Sequence, residues 1–444
     1  MGVAGDPGLR ESRRYPIKVV VADAEAPPEI TPERAEGGRY RSALVYFREG
    51  RRPLGRFEIE LDRGTLSSSA VGNAIRERLA ADGNRAALAP MPGLDPKTEV
   101  SLPFASVVIP TLCSRIDDLS RCIEALNKLD YPDYEIVVVD NRLQQDERDG
   151  RLTPIRDAPR VRIVSERIPG ISAAKNRGVV SARGEVVAFT DDDIVVDEGW
   201  LRGLVTPLAV DATVSIVAGL VLPKELETEP QGWFEEYTGG FSHGFESLAY
   251  VPVRDSHFGR RRIRSVQCKD AASGAIRGQL SVYSAAVRGA AGGSSAIRKA
   301  LFDELGGFDM SLGTGTPTGG GEDLAFCARA LWAGKSVRYE PTSISFHAHR
   351  RTYPELVRQV RAWGTGLVAM LTSLIWSDPG LIFGLLALAP DAMWKVLRRA
   401  ELRRDAEALP SSFPARLRWH ELSGMAFGGP AYVVSRVENR LRGA

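Results

Sequence analysis

Three consecutive carboxylates, Asp191, Asp192 and Asp193, stand directly after the apolar run VVAFT. Like charges this close repel, and burial at a strand end raises each carboxyl pKa, so the triplet is costly unless a cation joins it. A hard divalent ion, Mg2+ or Mn2+, takes oxygen ligands and bridges naturally to phosphate. Asp191 and Asp193 are therefore candidate metal ligands, and Asp191 and Asp192 candidate contacts for a phosphorylated ligand. The plainer reading is an acidic, solvent-facing turn in which Asp193 starts a helix. A second pair, Glu322-Asp323, follows Gly319-Gly320-Gly321, and Leu324, Cys327, Ala328 and Leu331 continue at helical spacing as far as Gly334. Acids favour helix N-termini through the macrodipole. The glycine-rich approach from Gly306 to Gly315 nevertheless reads as a mobile lid leading to working carboxylates. Two of the five histidines, His347 and His349, end the strand-like SVRYEPTSISF. Residues i and i+2 share a strand face, so either could complete the coordination of a metal held by the aspartates.

Other apolar runs end in similar chemistry. Thr111 and Arg115 follow SVVIP, which ends at Pro110, and Asp140-Asn141 ends EIVVVDN. There a carboxylate can accept the imide N–H of a uracil, and an amide can add a ribose contact. The segment from Pro169 to Gly178 reads as a turn into a helix whose Lys175, Asn176 and Arg177 suit diphosphate oxygens. Each motif is a common surface pattern by itself; the order and the strand-end placement carry the reading.

The elements that must position these residues follow from the same runs. SVVIP, EIVVVDN, RVRIVSE and EVVAFTDDD are short and solidly apolar, and amphipathic segments separate them. One such segment, Asp117 to Leu129, puts Leu119, Cys122, Ile123 and Leu126 on one face. Solid β-branched runs spaced by helices predict a parallel sheet covered on both faces, with its ligand at the carboxyl ends of the strands. Before it, the stretch from Arg39 to Arg63 reads as two β-rich segments around a Glu49-Gly50 turn, followed by a helix-like SSSAVGNAIRERLAADG. The Pro- and Gly-rich stretch from Ala86 to Val100 reads as a linker. Near the C-terminus, Gly364 to Pro390 carries one charge, Asp378, beside Pro379. A spanning helix needs about 20 uninterrupted apolar residues, so two short helices are expected, packed in the protein or lying at a membrane interface. The arginines at 398, 399, 403 and 404 would suit anionic headgroups.

Composition bounds the class. The 444 residues have 58 Lys+Arg against 56 Asp+Glu, a net charge of +2, which argues against a dedicated nucleic-acid binder. A hydrophobic fraction of 43% excludes global disorder. The four cysteines form no CxxC pair, which argues against a zinc site or a disulfide scaffold. Met1 to Lys18 lacks an apolar signal region, so a cytoplasmic protein with reduced thiols is the expectation.

Taken in order, SVVIPT, VVVDN, PGISAAKNRG, VVAFTDDD, ELGGFD, GGGED and FHAHRR, from Phe104 to Arg351, resemble a family 2 glycosyltransferase with the GT-A fold. The resemblance implies an α/β, Rossmann-like, mixed but mostly parallel sheet flanked by helices. It implies three parts: an N-terminal β-rich module and linker over 1–98, a catalytic domain over 99–351 and a helical extension over 352–444, for which a membrane-interfacial position is one expectation. It further implies that the triplet is a DxD motif, with Asp191 facing the nucleotide and Asp193 a divalent metal, Mg2+ or Mn2+. His347 would join that metal ahead of His349, and Asp323, with Glu322 beside it, would be the general base of an inverting single displacement. Pro110, Thr111, Arg115, Asp140, Asn141, Lys175, Asn176, Asp191 and Asp192 would line the donor site. The implied partners are a nucleotide-diphosphate sugar, with UDP preferred, and a hydroxyl acceptor that is a saccharide, lipid-linked or a small molecule. No nucleic acid is implied, while peripheral membrane contact is. The products would be polysaccharide, glycolipid or natural-product glycoside. The acceptor would meet the region from Trp233 to Gly289, where Arg260, Arg261, Arg262 and Arg264 suit an acidic group. One departure is Gly292-Gly293-Ser294-Ser295, where the family often has asparagine. Two other classes fit parts of the pattern: a haloacid-dehalogenase-like phosphatase using Asp191-x-Asp193, and a non-catalytic nucleotide-sugar-binding protein.

Overall fold

The computed structural model describes residues 15–61, 64–81, 100–143, 150–238, 243–253, 265–290, 292–383, 385, 414 and 416–442. Most of the expected linker, the arginines at 260, 261, 262 and 264, and those at 398, 399, 403 and 404 lie outside the described residues.

The N-terminal β-rich stretch forms a small sheet. Strands β2 (Ser42–Glu49) and β3 (Arg52–Glu60) make the expected hairpin, with Glu49 opposite Arg52. A strand not expected from the sequence, β1 (Ile17–Asp23), adds in parallel beside β2. Helix α1 (Ser68–Ala81) covers one face, burying Val71 and Ile75 against Val45 and Phe47.

The solid apolar runs become the strands β4 (Ala105–Thr111), β5 (Tyr134–Asp140), β6 (Val161–Ser165) and β7 (Val186–Thr190), all parallel, in the order β7-β4-β5-β6. Every residue of β4, β5 and β7 is buried, while the edge strand β6 is half-exposed. Alternation along β4 shows why both faces must be apolar. Val107 and Ile109 pack with α2 (Ile116–Leu126) and α5 (Trp200–Val210), whereas Val108 packs with α4 (Ile171–Ser181) and α9 (Glu322–Trp332). The four apolar residues expected on one face of α2 are all buried there.

Beyond β7 the sheet becomes mixed. It continues through β13 (Ser294–Arg298), β9 (Val214–Pro223), β14 (Ser336–His347), β10 (Leu248–Val253), β11 (Ser265–Asp270) and β12 (Ile276–Ser281), with β8 (Ile194–Val196) pairing to the end of β14. Strands β4, β5, β6, β7, β9, β11 and β14 run one way, and β8, β10, β12 and β13 run the other. Pairing brings distant residues to one edge. Thr111 lies opposite Asp140, Ser294 opposite Thr190, and His347 opposite Ile194. The remaining helices are α3 (Thr153–Arg156), α6 (Glu229–Thr238), α7 (Val282–Gly289), α8 (Lys299–Leu305), α10 (Tyr353–Ser377) and α11 (Arg416–Leu441).

Helix α10 begins with a capping box, in which Thr352 and Glu355 satisfy each other's end of the first turn. It runs 25 residues to Ser377 and stops at Asp378-Pro379. The break falls where the sequence places it, but the apolar stretch from Gly364 extends an already formed helix rather than starting a short one. Its Gly364, Gly366, Ala369, Met370 and Leu374 are buried. No helix among the described residues is long and apolar enough to cross a membrane. Glycines bring α10 and α11 into backbone contact: a Cβ on Gly364 would overlap the Glu421 carbonyl, and one on Gly424 would overlap the Arg361 carbonyl. Overpacking a tight interior contact costs about 1–3 kcal/mol, and backbone cannot swing aside as a side chain can. Gly364→Ala is therefore expected to destabilise the protein by about that amount in urea titration, and an unchanged midpoint would contradict the close crossing.

Candidate active site

The aspartate triplet makes the turn between β7 and β8, closed by the Ile194 N–H donating to the Asp191 carbonyl (3.2 Å). Its side chains part in three directions. Asp192 accepts from the Thr111 hydroxyl (2.7 Å) and from Arg115 (3.3 Å). Asp193 accepts from Arg115 (3.0 Å), lies 3.9 Å from Arg350 and faces His347 Nε2 at 3.8 Å. Asp191 lies beside Lys175 and Gly293. Burial would raise Asp193, but His347, Arg115 and Arg350 hold it below the usual carboxylate value. Asp191 keeps some exposed surface, yet desolvation of its carboxyl, with the neighbouring acids, pushes it up to about 7 against the pull of Lys175.

The second pair opens α9. Gly321 takes a left-handed conformation (φ 96°) and lies against the Gly366 carbonyl of α10, so no Cβ fits there. Glu322 accepts from Lys175 Nζ at 2.9 Å, and both are buried. The Lys175 ammonium also lies near the rings of Phe189 and Phe308, and its acidic neighbours push it up to about 12. Asp323 is partly exposed; desolvation, then the charge of Glu322, push it up to about 6, while Lys175 opposes the shift. The two acids of the pair thus differ in kind. Glu322 is tied to a cation, and Asp323 is poised to change protonation near neutrality.

Gly292 and Gly293 lie between the two acidic motifs. A Cβ on Gly292 would stand 2.9 Å from Asp323 Oδ2, and one on Gly293 would stand 2.5 Å from Asp191 Oδ2. The departure noted in the sequence is a place where only backbone fits between two carboxylates. Ser294, the next residue, is buried and accepts from the Trp200 indole N–H (2.9 Å).

Several expected donor-site residues are used otherwise in this structure. The Asn141 amide donates to the carbonyls of Glu166 (2.9 Å) and Ile168 (2.7 Å), and its oxygen accepts from Gly170 N–H (3.1 Å), so it shapes the loop before α4. Asn176 exchanges hydrogen bonds with the backbone of Phe308 (3.0 and 2.8 Å). Lys175 faces the acids, not open space. Asp140 is buried at the end of β5 and accepts from Arg142 Nε (2.9 Å) and Nη2 (2.8 Å). Pro110 and Thr111 sit in β4, level with it. The structure therefore gathers Thr111, Arg115, Asp192, Asp193 and His347 in one group and Lys175, Asp191, Glu322 and Asp323 in another.

The glycine-rich approach expected as a mobile lid is stitched down. Ser172 donates to the Leu312 carbonyl (2.7 Å), Ile171 N–H to the Thr314 carbonyl (2.9 Å), and the Tyr432 hydroxyl to Asp309 (3.0 Å). Phe308 stacks on Phe326 with ring centres 4.6 Å apart. A cleft of about 690 Å³ lined by Arg183, Glu185, Arg298, Lys299 and Asp303 lies at the amino ends of the parallel strands, away from these carboxylates.

Residues 106–264 match the family model described as glycosyl transferase family 2. That segment of the chain belongs to the family. The chain is similar to the pre-mycofactocin glycosyltransferase of Mycobacterium tuberculosis, 27% identical over 44% of this chain and 32% of the relative. It is also similar to polypeptide N-acetylgalactosaminyltransferase 12 of Mus musculus, 27% identical over 57% of this chain and 41% of the relative. The matches thus span about a third to two fifths of these curated relatives' length. A solved mannosyltransferase from Pyrobaculum calidifontis, in complex with GDP-Man and Mn2+, superposes loosely: TM-score 0.42, 16% identity, 84% of this chain and 96% of that one. Here three strands of the main sheet, β4, β5 and β6, precede β7 and its triplet, whereas the phosphatase pattern puts its aspartates on a first strand.

A divalent metal is tested by the donor set. Among the described residues no three His, Cys, Asp or Glu side chains converge as a closed metal site. Asp193 and His347 do face each other, a carboxylate oxygen and an imidazole nitrogen, and burial holds His347 down to about 4, hence neutral at pH 7. One hard and one borderline donor fit Mn2+ or Mg2+ that would complete its shell from a diphosphate and water. Asp191, directed to Lys175, stands outside that pair. Arg142, Arg350, Glu235 and the glycine pair were not read from the sequence. The two arginines stand next to recognised motifs, while Glu235 carries no local signal. A carbon-13 NMR titration of the free protein is expected to show Asp191 and Asp323 titrating near pH 7 and pH 6, with Lys175→Met moving both upward because it removes the opposing cation. Ordinary values near 4 for both would contradict the arrangement.

Proposed function

We propose that this chain transfers a sugar from a nucleotide-diphosphate sugar to an acceptor hydroxyl by inverting single displacement. The observation that carries this reading is the closeness of two acidic motifs, whose Asp191 and Asp323 carboxylates flank Gly292-Gly293: the first also directs Asp193 at His347, and the second ends in a carboxylate raised toward neutrality. Asp193 and His347 would hold the divalent ion, which when bound supplies positive charge to the leaving diphosphate. Arg115 and Arg350 stand beside Asp193 and would add to that stabilisation. Asp140 would accept the N–H of the base once Arg142 gives way to it, and a uracil is the preferred fit. Asp191 would face the ribose. Asp323, rather than Glu322, would take the proton from the acceptor oxygen as it attacks the anomeric carbon, because Glu322 is committed to Lys175. No covalent sugar intermediate is needed. The names of the two relatives, both sugar transferases, support the reaction class and leave donor and acceptor open.

Slow hydrolysis of a panel of nucleotide sugars, with and without Mn2+, is the direct test; no Mn2+-dependent hydrolysis of any donor would overturn the reading. Once a donor is known, Asp323→Asn is expected to lower turnover by about 10²-fold or more with donor affinity retained. Because the base must be ionised, wild-type kcat/KM should fall as pH drops through about 6. Near wild-type turnover in Asp323→Asn would assign the base elsewhere.

Peripheral contact with an anionic membrane is proposed on separate support. The outward side of α11 presents Trp419, Phe427, Val434, Val437 and Leu441, 50–83% exposed, a stripe about 33 Å long at 1.5 Å per residue. Exposed Arg416 lies at one end, and Arg440 and Arg442 at the other. The helix's acids are occupied: Glu421 is buried and takes the Tyr237 hydroxyl, and Glu438 pairs with Arg442. An apolar stripe with cationic ends suits headgroups and acyl chains together. The full chain should sediment with anionic vesicles at low salt and less at high salt, and a Trp419→Ser, Phe427→Ser, Val434→Ser variant should not. Failure of the wild type to sediment, or a salt-stable dimer lost in the variant, would overturn the membrane reading.

A further inference from the structure

His347 and His349 share one side of the chain end after β14, and their Nδ1 atoms lie 3.0 Å apart. The other nitrogen of His349, Nε2, lies 2.6 Å from a carboxylate oxygen of Glu235 on α6, 114 residues earlier in the chain. His349 is 3% exposed, and the ring of Phe234 lies over it with centres 4.3 Å apart. The line therefore runs Glu235, His349 Nε2, His349 Nδ1, His347 Nδ1, and ends with His347 Nε2 facing Asp193 at 3.8 Å.

Hydrogen positions in such a line follow from one fixed end. A carboxylate only accepts, so His349 Nε2 must carry a hydrogen. With His349 as the neutral imidazole, which has one N–H, its Nδ1 is the acceptor. His347 Nδ1 then carries the hydrogen that it donates, and its Nε2 presents a lone pair toward Asp193. That lone pair and the Asp193 carboxylate, 3.8 Å apart, then face one another as two donors for a metal ion.

Resting on the proposed metal-assisted reading of the site, we infer that Glu235 and His349 are positioning residues: they set the tautomer of His347 so that Nε2 is presented to a divalent ion. This gives the two histidines, which strand spacing alone leaves equivalent, distinct roles. His347 is the ligand, and His349 orients it. It also gives α6, part of the region expected to meet the acceptor, a role in the donor half of the site. Outer partners of this kind typically change metal affinity by about 10–100-fold.

The test uses the full chain and Mn2+ itself. Nitrogen-15 NMR of the metal-free wild type is expected to show His347 as the Nδ1–H tautomer, and finding it as Nε2–H would overturn the inference without any variant. Mn2+ binding in the presence of UDP, followed by electron paramagnetic resonance, is expected to weaken about 10–100-fold in Glu235→Gln, whose amide can donate to His349 and reverse the line. Glu235→Asp should recover much of the loss. Far-ultraviolet circular dichroism reports whether each variant is folded. Unchanged Mn2+ affinity in Glu235→Gln together with lost affinity in His347→Ala would overturn the relay and leave the metal reading standing. Unchanged affinity in His347→Ala would overturn the metal reading itself.

Discussion

One buried ammonium organises the acidic centre. Lys175 is 2% exposed and bonds Glu322, with Asp323 and Asp191 as its next charged neighbours. Three carboxylates from two motifs about 130 residues apart could not approach one another without a cation inside the fold, because each desolvated negative charge raises the cost of the next. Breaking a buried pair of this kind by removing one partner costs about 3–5 kcal/mol. Lys175 therefore belongs to the stability of the centre as much as to its electrostatics. It ties down Glu322, while desolvation and the neighbouring acids keep Asp323 and Asp191 elevated against its pull.

The rest of the sheet is built so that the two motifs can meet at that cation. Parallel pairing brings the ends of β4, β5 and β7 level, and β13 returns antiparallel beside β7 so that its preceding glycines reach Asp191 and Asp323. Any side chain at those glycines would occupy the space between the carboxylates. Strand β14 arrives at the same edge and delivers His347 to Asp193, pinned by the Ala348 N–H donating to the Asp193 carbonyl (3.4 Å). The site is thus a product of strand register, and a slip of one residue would turn these side chains to the opposite face.

Helices α10 and α11 hold the other side. The backbone of α10 presses on Gly320 and Gly321 just ahead of Glu322, and Ser373 and Tyr432 both donate to Asp309 in the same glycine-rich segment. Asn439 of α11 donates to Ser311 (3.3 Å). A segment rich in left-handed glycines is flexible as an isolated chain, and these contacts remove that freedom. The C-terminal helix pair thereby fixes where α9 begins, and with it the position of Asp323.

Local pattern determined much of this. Solid β-branched runs, the amphipathic face of α2 and the placement of acids after strands depend on neighbours in the chain, and each appears in the structure where the sequence puts it. Strand β1 escaped notice because a half-buried strand beside a small sheet has no strong periodicity. What the tertiary structure alone decided were the partners. Whether Lys175 meets a phosphate or Glu322, whether Asn141 and Asn176 face a ligand or a loop, and whether Glu235 reaches His349 are choices between hydrogen-bond partners more than 20 residues apart. Residue type gives the capacity to bond, while strand register and helix packing select the bond that is made, because a buried polar group must take whichever partner the fold brings within about 3 Å.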